Sequence, residues 1–241
     1  MEKKNPDTYF LSENNLPFED FFHFGLSVDC IIFGYHQGSL RVLLIQRGAE
    51  PFKDSWAIPG DLVNPSEDLT SSASRVLKQL TGLTDIPVQQ FHTFGSIDRH
   101  PVGRVITVGY YALVRSENHH PIASTWASNV KWFDVYDLPS LAFDHEEILT
   151  KAVETLRTKV RKEPVGFDLL PPKFTLLELQ GMYEALLRER FDKPNFRKKI
   201  LGADVLVPLD EVQKNVSHRP AKLFHFDKNR YESQKKQLFN F

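Results

Sequence analysis

The chain has 241 residues, of which 41% are hydrophobic and 25% charged, and these values are typical of a globular protein. A single cysteine, Cys30, excludes an internal disulfide framework and a multi-cysteine zinc site, which favours a reducing, cytoplasmic location. No apolar run approaches the roughly 18 residues that a membrane-spanning helix needs, so we expect no membrane partner.

The net charge of −1 hides an uneven distribution along the chain. Residues 1–150 carry 11 Lys and Arg against 19 Asp and Glu, a net of −8, whereas residues 151–241 carry 19 against 12, a net of +7. A basic segment gains affinity for phosphate backbones by releasing their counterions, while an acidic segment repels them. The split favours two functions in one chain, although surface charges can also fall unevenly without consequence.

The first elements predicted along the chain are an arm, a hairpin and a helix. Residues 1–22 are polar with scattered aromatic side chains and are predicted to form an N-terminal arm. Two apolar, β-branched runs, 26–33 and 40–45, are separated by a glycine-containing turn and predict a β-hairpin. Apolar residues recur at helical spacing over 69–80, and Gly82 is the expected C-cap of that helix.

The middle of the chain adds strands and a second helix. Strands are predicted near 88–94, 104–114 and 130–135, and an amphipathic helix is predicted over 146–162. Strands that surround one helix and are followed by another predict an α+β fold of the α/β/α sandwich type.

Residues 163–172 contain three prolines and a glycine and are predicted to be a linker between two domains. After this segment, Thr175 and Glu178 have the spacing of a capping box at the start of a helix. A short connector then leads to a basic helix whose inward face is predicted to be Phe196 and Ile200. This order is typical of a helix-turn-helix, whose second helix lies in the major groove of DNA.

Two short strands, 204–207 and 221–226, are predicted around a basic loop that contains His218 and has the position of a wing. Lys198 and Asn195 are the first candidates for base contacts, because lysine donates to guanine and asparagine pairs with adenine. The residues expected to hold phosphates are Lys173, Arg197, Lys199, Lys214, Arg219 and Lys222. Since protein-interaction modules also present basic helix pairs, a protein partner remains an alternative.

The run 56–61 and the residues that follow it resemble the signature box of the Nudix hydrolases, G-x5-E-x7-R-E-U-x-E-E-x-G-U. The spacing agrees at Glu67, Arg75, Leu77, Gly82 and Leu83. The resemblance implies a Nudix α/β/α sandwich with a mixed sheet over residues 23–162.

The same box departs from the hydrolases where their metal is bound. Its leading glycine is Asp61 here, and Val76, Gln79 and Leu80 stand where the hydrolases carry metal-binding glutamates. Magnesium needs clustered anionic oxygens, which valine and leucine cannot supply. We therefore expect no catalytic residue, no metal and no cofactor, and we expect Glu67 to pair with Arg75 instead.

The alternative function is a magnesium-dependent Nudix pyrophosphohydrolase acting on nucleoside diphosphate derivatives. It requires that carboxylates outside the box rebuild a metal site. The candidates for such a site are Asp98, Asp144, Glu146 and Glu147.

A degenerate Nudix domain joined to a winged helix over 173–241 is similar to the Nudix-related transcriptional regulators. Local runs that carry this resemblance are 28–34, 94–99, 143–145 and 195–198. It implies a ligand-responsive regulator that binds double-stranded operator DNA, and helix-turn-helix regulators usually act as homodimers. The implied effector is a small sugar or nucleotide sugar: a pentose such as arabinose in one branch, ADP-ribose or NAD in another.

The effector is expected over the sheet beside the box helix, where a hydrolase would hold its substrate. Hydroxyl-rich ligands need paired donors and acceptors and an aromatic face for stacking. The candidates are Asp29, Arg47, Asp61, Asp98, Arg99, Tyr110, Asp144 and His145. Asp144 could instead cap the helix that follows it, and Tyr110 could belong to the core.

Overall fold

A mixed β-sheet lies at the centre of the first domain, and a helix-turn-helix with two short strands forms the second. The structure, a computed structural model, describes residues 24–214, 217 and 219–234, so the predicted arm 1–22 and His218 lie outside the described residues. The strands are β1 (Gly25–His36), β2 (Ser39–Arg47), β3 (Trp56–Ala57), β4 (Gly60–Leu62), β5 (Gln89–Phe94), β6 (Val105–Arg115), β7 (Ala127–Asp134), β8 (Leu206–Val212) and β9 (Lys222–Phe226). The helices are α1 (Leu69–Thr81), α2 (His145–Lys162), α3 (Leu176–Leu187), α4 (Lys193–Gly202) and α5 (Lys228–Gln234).

Strand β1 occupies the middle of the sheet and determines its mixed topology. It pairs parallel with β6 and antiparallel with β2 and β4, while β5 pairs antiparallel with β6. Strands β3 and β7 pair antiparallel with β2. The predicted hairpin is confirmed as β1 and β2, with His36 opposite Ser39 at its turn.

Both faces of β1 are buried because a helix covers each of them. Cys30 and Ile32 pack in a core beneath α1, whereas Ile31 and Phe33 pack in a second core beneath α2. Strands covered on both faces are apolar at nearly every position, which explains the continuous hydrophobic run of β1. The predicted α/β/α sandwich is confirmed.

The helix-turn-helix of the second domain is also confirmed. The Thr175 hydroxyl accepts a hydrogen bond from the Glu178 amide at 3.1 Å, and the Glu178 carboxylate accepts one from the Thr175 amide at 2.7 Å. This capping box satisfies two amides at the start of α3 that have no partner inside the helix. Helix α4 buries Phe196 and Ile200, as predicted, and β8 pairs antiparallel with β9 to form the wing.

The predicted linker, residues 163–172, packs into the protein. Its centre forms a 3₁₀ helix, Val165–Leu169, and Phe167 and Leu170 are buried in a core that also contains residues of α2 and α3. Phe167 stacks on Phe226 of the wing with ring centroids 4.2 Å apart. The two domains therefore share one apolar core, while the predicted domain boundary itself stays a prediction. Within the part of the chain described, no helix is both long and apolar enough to cross a membrane.

Candidate functional site

A cavity of about 340 Å³ opens beside the box segment, at the edge of the sheet where β1 pairs with β4. Polar residues of its lining include Asp29 from β1, Arg47 from β2, Asp61 from β4, Arg99 from a loop and His145 from the start of α2. Its size is within the range of small-molecule sites, about 300–1,000 Å³.

The floor of the cavity contains a buried network of charged groups. The Arg99 guanidinium donates two hydrogen bonds of 2.8 Å to the Asp144 carboxylate and lies 3.6 Å from Asp29 Oδ2. The Thr107 hydroxyl donates to Asp29 Oδ2 at 2.7 Å. His145 Nδ1 accepts a hydrogen bond from the Ile58 amide at 2.9 Å. Because Arg99 has anionic partners, its guanidinium can stay charged although its side chain is buried.

Burial changes the ionisation of two groups in this network. Burial raises the pKa of Asp29 from its ordinary value of 3.8 to about 6, although the Thr107 hydrogen bond and the Arg99 charge act in the opposite direction. Burial likewise lowers the pKa of His145 to about 3, so this imidazole is neutral at physiological pH. Since Nδ1 accepts from a backbone amide, the proton is on Nε2, which lies 3.6 Å from Asp29 Oδ1.

Aromatic side chains form the wall above this floor. The Arg47 guanidinium lies over the rings of Trp126 and Phe143, 4.9 Å from each centroid. His100 stacks on Phe143 with an interplanar angle of 13° and a centroid separation of 5.2 Å. Phe143 has a positive φ of 56°, an uncommon conformation for a bulky residue that tends to occur at functional sites.

The substituted positions of the box helix contribute packing and hydrogen bonding to the region beside the site. Val76 and Leu80 are buried in the core beneath α1, while Gln79 accepts a hydrogen bond from Arg75 at 3.0 Å. Arg75 also forms the expected pair with Glu67, with Nε at 2.9 Å from Oε2. No group of three or more His, Cys, Asp or Glu side chains among residues 24–214, 217 and 219–234 has a geometry that could hold a metal ion.

The structure brings together six of the eight residues predicted to bind an effector. Five line the cavity, and Asp144 accepts hydrogen bonds from one of them, Arg99. Asp144 occupies the N-cap position of α2, but its carboxylate is engaged by Arg99. Two predicted residues lie elsewhere: Asp98 is exposed, and Tyr110 is buried in the core beneath α1.

Sequence reasoning missed the aromatic wall, namely Trp126, Phe143 and His100. Phe143 directly precedes Asp144 and His145, so its place in the run 143–145 was the available signal. Trp126 and His100 come from loops remote in sequence, and no local pattern marks them.

Four of the predicted DNA-binding residues lie on helix α4, three lie on the wing, and Lys173 lies just before α3. Asn195, Arg197, Lys198 and Lys199 are exposed on α4, whose start is capped by the Asp192 carboxylate accepting from the Asn195 amide at 2.9 Å. The α4 helix therefore presents a basic face opposite its two buried residues.

On the wing side, Lys214, Arg219 and Lys222 are exposed. Lys173 forms an ion pair with Glu211 of β8 at 2.7 Å, so part of its charge is already compensated. Lys193 is also exposed at the start of α4, directly before Pro194.

Two family models together match most of the chain. Residues 23–154 match the NUDIX domain, and residues 166–226 match the NrtR DNA-binding winged helix domain. The fold and site thus define a Nudix domain joined to a DNA-binding winged helix.

Individual relatives cover both domains. The chain is 34% identical to the ADPR responsive transcriptional repressor NtrR of Acinetobacter baylyi over 86% of this chain and 84% of that protein. It resembles Shewanella oneidensis NrtR complexed with a 27mer DNA, with a TM-score of 0.75 and 31% identity over 90% of this chain and 99% of that one. The NUDIX domain of the same protein complexed with ADP ribose gives a TM-score of 0.52 and 32% identity over 61% of this chain and 99% of that one.

The chain therefore belongs to the NrtR family of Nudix-related transcriptional regulators. These relatives give no support to a pentose effector such as arabinose. The expected homodimer stays a prediction.

Gly60 is expected to be essential for the cavity floor. It lies opposite Asp29 in the β1–β4 pairing, and an added Cβ would come within 2.0 Å of Asp29 Oδ1 and 3.0 Å of the Val28 carbonyl oxygen. We expect Gly60→Ala to lower the free energy of unfolding by about 1–3 kcal/mol. Gly103→Ala is the control, because its Cβ would meet open space. Equal denaturant midpoints for the two variants would contradict this expectation.

Asp29 and His145 are expected to give opposite pH dependences of stability. The folded chain binds the Asp29 proton more tightly than the unfolded chain, so Asp29 lowers stability as pH rises from about 4 to about 6. His145 raises stability as pH rises from about 3 to about 6.5, because its folded pKa is lowered. Asp29→Asn should therefore gain stability relative to the wild-type chain between pH 4 and pH 6.

This comparison uses urea unfolding at several pH values. It depends only on how the free energy of unfolding changes with pH. Any constant cost of the Asp29→Asn substitution cancels between pH values. Parallel stability curves for the two proteins would show that the burial of Asp29 does not shift its pKa.

Proposed function

We propose that this protein is a transcriptional repressor whose affinity for operator DNA is controlled by ADP-ribose bound in the Nudix-domain cavity. The observation that carries the proposal is the joining, in one chain, of this cavity to a winged helix with an exposed basic recognition helix. Support comes from the similarity over most of both chains to an ADPR responsive repressor and to a DNA-bound NrtR.

The cavity contains groups that suit each part of ADP-ribose. Ribose hydroxyls can donate to the buried Asp29 carboxylate and accept from Arg99. The diphosphate requires a cation, and Arg47 supplies one at the mouth. The half-buried rings of Trp126 and His100, both in the cavity lining, offer surfaces for adenine. A free pentose would use only part of this set.

Helix α4 is proposed to enter the major groove, as the recognition helix of a helix-turn-helix does. Lys198 and Asn195 are proposed to reach base edges, while Arg197 and Lys199 on α4 hold phosphates together with the basic wing residues. The positive net charge of residues 151–241 would strengthen binding at low salt.

We propose further that the Nudix domain does not hydrolyse ADP-ribose. Support comes from the burial of Val76 and Leu80 in the core and from the hydrogen bond that Arg75 donates to Gln79. A buried aliphatic side chain offers no oxygen to magnesium, and the attacking water then lacks its activating metal.

The regulatory function is tested with duplex DNA from the region upstream of the protein's own gene. We expect specific binding over random DNA at two salt concentrations, and we expect ADP-ribose to change the dissociation constant by about 5- to 150-fold, the usual range of allosteric coupling. Arabinose at the same concentration should leave it unchanged. Fluorescence anisotropy measures all of these constants. Binding no tighter than to random DNA would refute the DNA-binding part of the proposal.

Two pairs of variants test whether DNA binds at helix α4 and whether ADP-ribose acts through the cavity. Lys198→Ala should weaken specific DNA binding, whereas Lys78→Ala, an exposed charge on α1, should not. Arg47→Met should abolish the response to ADP-ribose without changing DNA affinity in its absence, and Lys53→Met is its control. If Arg47→Met responds like the wild-type chain, ADP-ribose does not act through this cavity.

The absence of hydrolysis is tested separately by incubating the purified protein with ADP-ribose and Mg²⁺. We expect AMP and ribose 5-phosphate to stay at the level of a protein-free control. Turnover that disappears with EDTA would revive the pyrophosphohydrolase alternative.

A further inference from the structure

Helix α2 begins inside the proposed effector cavity. Asp144, directly before the helix, holds Arg99 through two hydrogen bonds, and His145, its first residue, accepts from the Ile58 amide. Phe143 of the aromatic wall precedes both. Arg99 uses two of its five N–H donors on Asp144, so a ligand that accepts from the remaining donors binds a guanidinium held by the residue directly before α2.

Further along α2, Arg157 contacts the first helix of the helix-turn-helix. Arg157 Nε donates to the Leu186 carbonyl oxygen at 3.3 Å, and Arg157 Nη2 donates to the Tyr136 hydroxyl at 3.0 Å. The Tyr136 hydroxyl in turn donates to the Ala185 carbonyl oxygen at 3.4 Å. Both carbonyls belong to the last turn of α3, where carbonyl groups have no donor inside the helix and the helix dipole is negative.

This contact, which we name the α2–α3 junction, consists of Arg157, Tyr136 and the last turn of α3. Arg188, the C-cap of α3, adds its guanidinium 4.7 Å from the Tyr136 ring centroid, and Arg157 lies 5.6 Å from the same centroid. Arg188 has a positive φ of 57°, which costs energy for a residue other than glycine. Its cation–π contact with Tyr136 helps to offset that cost.

Helix α3 is in turn tied to the recognition helix. Gln180 Nε2 donates to the Phe191 carbonyl oxygen at 2.9 Å, and the Phe191 amide donates to Glu184 Oε1 at 2.9 Å. The ring of Tyr183 packs against Phe196 of α4 with centroids 5.8 Å apart. A displacement of the end of α3 would therefore carry α4 with it.

We propose that α2 couples the effector cavity to the recognition helix, with Arg157 as the positioning residue at the α2–α3 junction. This inference rests on the proposed function and adds the element through which it operates. From residue 145 to residue 157 the helix spans about 18 Å, at 1.5 Å per residue. Its apolar face is buried along this length, so α2 can move as a rigid unit between two packings but cannot deform freely.

The test measures the coupling ratio, defined as the dissociation constant for operator DNA with saturating ADP-ribose divided by that without it. Arg157→Leu retains most of the apolar stem and removes the donors. We expect its coupling ratio to approach 1, while the separate affinities for DNA and for ADP-ribose stay within about threefold of the wild-type values. By thermodynamic reciprocity, the effect of DNA on ADP-ribose binding should disappear equally.

Three further variants make the outcome specific. Tyr136→Phe keeps the ring and removes only the hydroxyl, which forms one of the two links between Arg157 and α3, so it should move the coupling ratio toward 1 even if Arg157→Leu folds poorly. Arg157→Lys keeps the charge and one donor group and should restore part of the ratio. Lys151→Leu, on the same helix and paired only locally with Glu154, should leave the ratio within about twofold of the wild-type value.

The outcomes separate this inference from the function on which it rests. A wild-type chain that binds DNA without any response to ADP-ribose would refute the proposed regulation, and the inference about α2 would fall with it. A wild-type response that persists in folded Arg157→Leu and in Tyr136→Phe would overturn the inference while the proposed function stands. Loss of DNA affinity by Tyr136→Phe without ligand would also overturn it, since the junction would then maintain the winged helix and not transmit.

Discussion

A buried guanidinium needs anionic partners, and the position of Arg99 between Asp144 and Asp29 meets this requirement at the floor of the cavity. Because Asp144 directly precedes α2, satisfying Arg99 also fixes where that helix starts. His145 then falls beside Asp29, where burial keeps the imidazole neutral and raises the carboxyl pKa. One ion pair thus determines the cavity floor and the beginning of the helix that leads to the second domain.

The box segment retains the ion pair that stabilises its loop, but it lacks the glutamates that bind metal in the Nudix hydrolases. Glu67 and Arg75 remain paired, and Arg75 also donates to the Leu62 carbonyl oxygen at 2.8 Å, so the loop beside the cavity is held in place. Val76 and Leu80 add apolar contacts beneath α1. Such a scaffold can hold a nucleotide-like ligand with defined geometry, and we propose that it does so without activating water.

The continuous core explains how a signal could pass between the domains. Residues of β1, α2, the segment 163–172 and α3 pack in one buried cluster. Closely packed interfaces have few alternative arrangements, so a change at one edge favours a rigid shift over a local adjustment. The proline-rich segment, predicted as a linker from its composition, takes part in this packing through Phe167 and Leu170.

Features that depend on neighbours within about ten residues could be predicted from the amino-acid sequence alone. These include the β1–β2 hairpin, the Thr175 capping box and the C-cap at Gly82, since turn and cap chemistry act locally. The composition of the cavity, in contrast, depends on contacts between residues that are far apart in the chain. Asp98 and Arg99 are adjacent, yet only Arg99 is buried. Its ion-pair partner, Asp144, lies 45 residues further along the chain, so no local pattern distinguishes the two residues. Tyr110 belongs to the core because both faces of β6 are covered, and an apolar strand gives no periodicity that would tell one face from the other.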